Sequence, residues 1–194
     1  EYLREGSFLI ISLFLILTIG ISHGSLDYIK GKKLIKYFGY KSMSIFYLGY
    51  LFIGIVTILI WLAFPKLLLI LFLIIAAFHF GKEDSEFIPD AQRGLTRVLY
   101  LLKGSAITMA PLTFHPQEAE AIFLTLNLSV IEIFTVEVCS GFLILSLLSN
   151  ILLGWRCARS TAIFLMDFAS IVILNWVLHP LLAFSLYFCF PPFY

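Results

Sequence analysis

The hydrophobic pattern of this chain is a series of long, nearly unbroken apolar runs separated by short polar stretches. Runs of about eighteen residues or more have the length needed to cross a hydrocarbon layer as helix. We expect spans near 7–26, 43–64, 66–81, 95–112, 137–154 and 160–178, then a further run from 181 onward. Pro65 separates the second from the third, and Pro111 and Pro116 are expected to close the fourth. Residues 117–133 are apolar but interrupted by Glu118, Glu120 and Glu132, which suits either an interfacial amphipathic helix or a short extra span. The predicted fold class is all-α: a polytopic integral membrane helical bundle of six to seven transmembrane helices, forming one membrane-embedded domain over 1–194.

Composition agrees with the pattern. Of 194 residues 61% are apolar and only 13% are charged, against roughly a quarter charged in soluble domains. The run Ser7 to Ile21 is followed at once by His-Gly-Ser-Leu-Asp and has no small-residue cleavage site, so it is read as a retained helix and not a signal peptide. Cys139, Cys157 and Cys189 are odd in number and show no Cys-x-x-Cys spacing, so they are read as small buried hydrophobes. A net charge of +1 without a basic stripe gives no reason to expect nucleic acid.

Lys and Arg placement sets an orientation. The stretches around 27–41, 82–97 and 155–159 hold ten basic residues, and the opposite side holds Arg4 and Lys66. By the positive-inside rule the loops 27–41, 82–94 and 155–159 are cytoplasmic, provided 117–133 does not cross, and the protein belongs to the cell (inner) membrane.

Two motifs then stand out, His23-Gly24-Ser25-Leu26-Asp27 and His79-Phe80-Gly81-Lys82-Glu83-Asp84. In the expected topology both histidines lie at the same end of their spans, hence at similar depth. Polar groups in apolar runs are costly unless partnered. Imidazoles suit Fe, Cu or Zn, although two ligands alone do not hold a catalytic metal. Asp27, at i+4, and Asp84, at i+5, are candidates to accept the second ring N–H and fix the tautomer. Either motif alone also suits a helix-end histidine paired to an aspartate; two at one depth favour a site. His115 and His179 each precede a proline at the opposite ends of their spans and are read as boundary residues. Lys103 and Asp167 are intramembrane charges that either pair or leave Lys103 to reach the interface. Phe78, Phe80, Tyr187 and Phe188 are the aromatics placed to line a channel for a long apolar substrate. No phosphate loop, Ser/His/Asp order or His-x-x-x-His pair appears.

The segments Ile21–Asp27, Phe78–Asp84 and Pro180–Phe190, with a weaker match at Lys103–Gly104–Ser105 to Pro111 and Phe114–His115–Pro116, resemble the Brp/Blh family of β-carotene 15,15′-dioxygenases (the bacteriorhodopsin-related protein family). The resemblance implies an integral membrane, non-haem Fe(II) enzyme. It would split the central double bond of β-carotene with O₂ into two retinal molecules, which rhodopsin apoproteins consume indirectly. It assigns His23 and His79 as iron ligands. The family's two further ligands stand in a His-Ser-x-Arg-His motif after Tyr-Phe-Cys-Phe, where this sequence has Pro191-Pro192-Phe193-Tyr194. The chain is therefore read as a C-terminally truncated member carrying half the ligand set. Two other readings remain open at this point. One is a non-catalytic carotenoid- or retinal-binding membrane protein. The other is a transport or structural membrane subunit whose histidines cap helix ends.

Overall fold

The computed structural model describes residues 10–15, 17–18, 28–29, 31–40, 42–85, 94–156 and 161–189. Within them every regular element is a helix. Beyond helical turns at 10–15, 17–18 and 31–37, the chain forms α1 (Ser44–Ala63), α2 (Pro65–Glu83), α3 (Gly94–Phe114), α4 (Pro116–Leu124), α5 (Val136–Arg156), α6 (Thr161–Val177) and α7 (Pro180–Cys189). The spans expected at 43–64, 66–81, 95–112, 137–154 and 160–178 are met to within a few residues, while most of the one expected at 7–26 lies outside the described residues. Helices α1, α2 and α5 are long and apolar enough to cross a membrane. The protein is an all-α helical membrane bundle.

Prolines set the joints. Pro65, Pro116 and Pro180 each stand at the first position of a helix, where the missing N–H has no partner to lose. Pro111 is a correction to the sequence reading. It lies inside α3, which continues for three residues to Phe114 before His115 and Pro116 begin α4. A proline so near the end removes one hydrogen bond from the last turns without stopping the helix.

Helix α4 settles the ambiguous 117–133 stretch. Its nine residues rise only about 13 Å, under half of a hydrocarbon core. The chain then turns back: the Glu120 carboxylate accepts the N–H of Val130 at 2.8 Å and of Ile131 at 3.0 Å. Segment 117–133 does not cross. Lys66 in the first turn of α2 pairs with Glu132 at 2.7 Å, which fastens the returning segment to the same end of the bundle.

The centre of the bundle is α3, which packs against α2, α4, α5, α6 and α7. Its crossing with α2 is a backbone contact. A Cβ on Gly81 would overlap the Tyr100 carbonyl oxygen, and one on Gly104 would overlap that of Ala77. Without a hydrophobic drive between helices in lipid, such small-residue approaches supply the packing. Gly81 thus serves close approach and does not end α2, which runs on to Glu83. Helix α5 is stitched to α3 by hydroxyls: Ser146 Oγ donates to the Lys103 carbonyl at 2.7 Å and Ser149 Oγ to that of Leu99 at 2.6 Å. Cys139 and Cys189 are free and buried, as expected of small hydrophobes, while Cys157 lies outside the described residues.

Candidate functional site

Helix direction brings the 79–84 motif and the end of α7 to one level. Helices α2 and α7 run the same way, and α3 runs against both. Near the end of α7 the Tyr187 ring meets Phe80 edge-on at 5.8 Å between centroids, and its hydroxyl donates to Asp84 Oδ2. The end of α7 therefore reaches the depth of the 79–84 motif.

Two separate arrangements are built there. The first is an apolar cavity of about 510 Å³ between α2, α3, α4 and α7, within the usual range for small-molecule pockets. His79 stands on its wall. Phe80 from α2, Thr108 from α3, Ile122 and Phe123 from α4, and Phe184 and Phe188 from α7 also line it. The Phe184 and Phe188 rings lie stacked, with centroids 6.1 Å apart and planes inclined by 14°. Thr108 and His79 are the polar residues of this lining, and the Thr108 hydroxyl already donates to the Ser105 carbonyl at 3.1 Å. His79 keeps a 66% exposed side chain, and its Nε2 lies 3.1 Å from Glu83 Oε2.

The second arrangement is a buried charge node. Lys103 Nζ, from α3, lies 2.7 Å from Asp167 Oδ2 of α6 and 3.3 Å from Asp84 Oδ2, and it donates to the Asp84 carbonyl at 3.5 Å. The same ammonium stands 5.3 Å from the centroid of the Phe164 ring. With Tyr187 donating to Asp84, four helices meet at one cation. Lys103, Asp84 and Asp167 are all at least 95% buried, so each charge depends on the others for stabilisation that water no longer supplies.

Set against the sequence expectations, these arrangements divide the motif. Asp84 is not the carboxylate beside His79; Glu83 is. Since α2 stays helical through Glu83, a residue at i+5 points about 140° away from the histidine, whereas i+4 shares its face. Asp84 turns inward to Lys103 instead. The i+4 spacing of Glu83 was the signal that could have found this pair. Lys103 and Asp167 pair directly, the first of the two alternatives. Of the four aromatics, Phe80 and Phe188 line the cavity. Phe78 packs on Leu99, Tyr100, Leu153 and Phe164, and Tyr187 serves the node. His23 and Asp27 lie outside the described residues. His115 sits at the α3–α4 joint with Nδ1 3.7 Å from Glu118, and the His179 Nδ1 accepts the Leu181 N–H at 3.4 Å; both are helix-boundary residues.

A family model described as beta-carotene 15,15′-dioxygenase matches residues 14–191. The chain belongs to this family. No match was found among curated proteins or among solved structures. Membership makes a dioxygenase-related role in carotenoid chemistry the frame for the site, and a cavity walled by carbon suits such a ligand. The iron that the family implies would need several protein donors around it. His79 is accessible and faces the cavity, but among the described residues no group of three or more His, Cys, Asp or Glu could hold a metal ion. The described part of this dioxygenase-family chain thus supplies one imidazole to the cavity, that of His79, with Glu83 beside it.

Proposed function

We propose that this protein takes β-carotene into the cavity between α2, α3, α4 and α7 and cleaves its central double bond with O₂ to give two retinal molecules. The observation that carries the reading is the apolar cavity with His79 on its wall, in a chain of the beta-carotene 15,15′-dioxygenase family. His79 and His23 are the proposed iron ligands, and bound Fe(II) would supply the activation of O₂. The chain's own contribution is placement. A lining that is carbon apart from His79 and Thr108 accepts a polyene by shape. The stacked Phe184 and Phe188 rings offer a flat wall for a conjugated chain. Selectivity among similar double bonds then comes from position and not from differences in reactivity. Glu83 beside His79 is the carboxylate available to accept a ring N–H and fix its tautomer. The basic loops 27–41, 82–94 and 155–159 are proposed to face the cytoplasm, a reading supported by the return of 117–133 to its own side.

The test is expression in cells that make β-carotene, with retinal, retained carotenoid and iron content measured. Retinal formation and iron in the wild type, both lost in His79→Ala, support the proposal. A second reading, carotenoid binding without cleavage, is favoured by the single imidazole among the described cavity residues. Carotenoid co-purifying with the membrane-inserted protein and no retinal would select it. Iron and carotenoid both unchanged in His79→Ala would point instead to a structural helix-end histidine.

A further inference from the structure

We infer that the short helix α4 is the floor of the cavity and that its Ile122 and Phe123 determine which length of apolar rod the protein accepts. This rests on the carotenoid-binding reading above and adds to it the residues that set register.

The cavity is elongated along the bundle. On α2 its wall extends from Phe72 to Phe80, eight residues or about 12 Å of helix. On α7 it extends from Pro180 to Phe188, about 12 Å. Helix α4 lies at the end away from His79. It follows α3 after one residue, and its Ala119 packs with Leu69 and Leu73, early in α2. Ile122 and Phe123 contribute the α4 side of the lining.

Two features make this floor a stop and not a soft cover. Glu120, on the same helix, holds the backbone N–H groups of Val130 and Ile131, and Lys66 holds Glu132 of the returning segment to the first turn of α2. The floor is therefore fastened to the wall it closes. Along that wall, His79 and Thr108 are the polar lining residues, and the Thr108 hydroxyl is already engaged. A polyene offers no polar group for such a lining to grip. Its position along the cavity is then fixed where its end meets the floor, and the floor-to-His79 distance selects the bond presented to the imidazole.

The test uses the purified full chain in phosphatidylcholine nanodiscs, titrated with all-trans-retinol and with the longer 8′-apocarotenol by quenching of tryptophan fluorescence. Ile122→Trp raises the floor and should weaken retinol about tenfold, the effect expected of overfilling a fitted space. Phe123→Ala lowers it and should shift the affinity ratio at least about threefold towards the longer probe. Circular dichroism of each variant confirms that the bundle is intact, and Phe123→Ala keeps the test decisive if Ile122→Trp does not fold. A ratio unchanged across wild type and folded variants overturns the floor while leaving carotenoid binding in place. A wild type that binds neither probe overturns both.

Discussion

Helices α1 and α3 are nearly equal in length, at 20 and 21 residues, and opposite in surroundings. Helix α1 has no buried residue, whereas α3 has eleven, among them Thr96, Lys103, Gly104 and Ser105. The more apolar helix is thus the peripheral one. In a bilayer, apolar side chains are needed where a helix faces lipid, while a helix surrounded by others can use small and polar residues to approach them and bond across. Apolarity therefore marks the rim of this molecule, and its interruption marks the centre.

Charge at the centre should be the hardest feature to remove. Lys103→Met leaves Asp84 and Asp167 buried without their cation, which costs about 3–5 kcal/mol in comparable cases. Thr57→Val in α1 removes a hydroxyl bonded only to the Ile53 carbonyl of its own helix, and should stay within about 0.5 kcal/mol. Reversible unfolding in mixed micelles measures both. Equal effects would break the comparison. Tyr187→Phe is the milder probe of the same node: it removes one donor to Asp84 and should cost about 1.5–3 kcal/mol, as for a hydrogen bond to a charged group.

Glycine gives a contrast of backbone alone. Gly104→Ala drives a methyl into the Ala77 carbonyl of α2 and should destabilise by about 1–3 kcal/mol through overpacking. Gly54 in α1 has open space around its Cβ position. There alanine should be neutral or stabilising by up to about 1 kcal/mol, because glycine is the poorer helix former. The same assay reads both signs.

This division explains which parts of the molecule were legible in sequence. From residue 43 onward the apolar runs matched the described long helices to within a few residues, because helix length in a membrane is set by thickness. Glu118, Glu120 and Glu132 gave warning that 117–133 need not cross, and the Glu120 contacts show how it returns. Lys103 and Asp167 were recognisable as costly charges in want of a partner. Asp84 was not recognisable as their third member, since its place in a histidine motif suggested a role beside His79. One residue of helical phase separates those two roles. The cavity was foreseen only as a few aromatics, because residues 72–80, 107–112, 119–123 and 180–188 share no spacing that a linear reading could join. Phe80 and Phe188 were found among them; the part of α4 was not.

The smallest expected effect concerns a charge at the edge, Glu120, in contrast to the buried node. Desolvation pushes its pKa up, but hydrogen bonds from the Ser129 side chain and from the N–H groups of Ile131 and Val130 outweigh it and hold the carboxyl below its ordinary value of 4.5. A carboxyl whose folded pKa is lowered contributes stability that is present above its unfolded pKa. That contribution is lost as pH falls from about 4.5 through the folded value. Amide exchange at Val130 and Ile131 should therefore stay slow from neutral pH down to about 5, allowing for the intrinsic pH dependence of exchange, and quicken below about 4.5. Glu120→Gln should remove that step, since the neutral amide can still accept one of the bonds but no longer titrates. Exchange in Thr96–Ala106 of α3 should not follow the same step. If both regions open together on acidification, the fastening of α4 is not a separate element of the fold, and the contrast between edge and centre fails at this point.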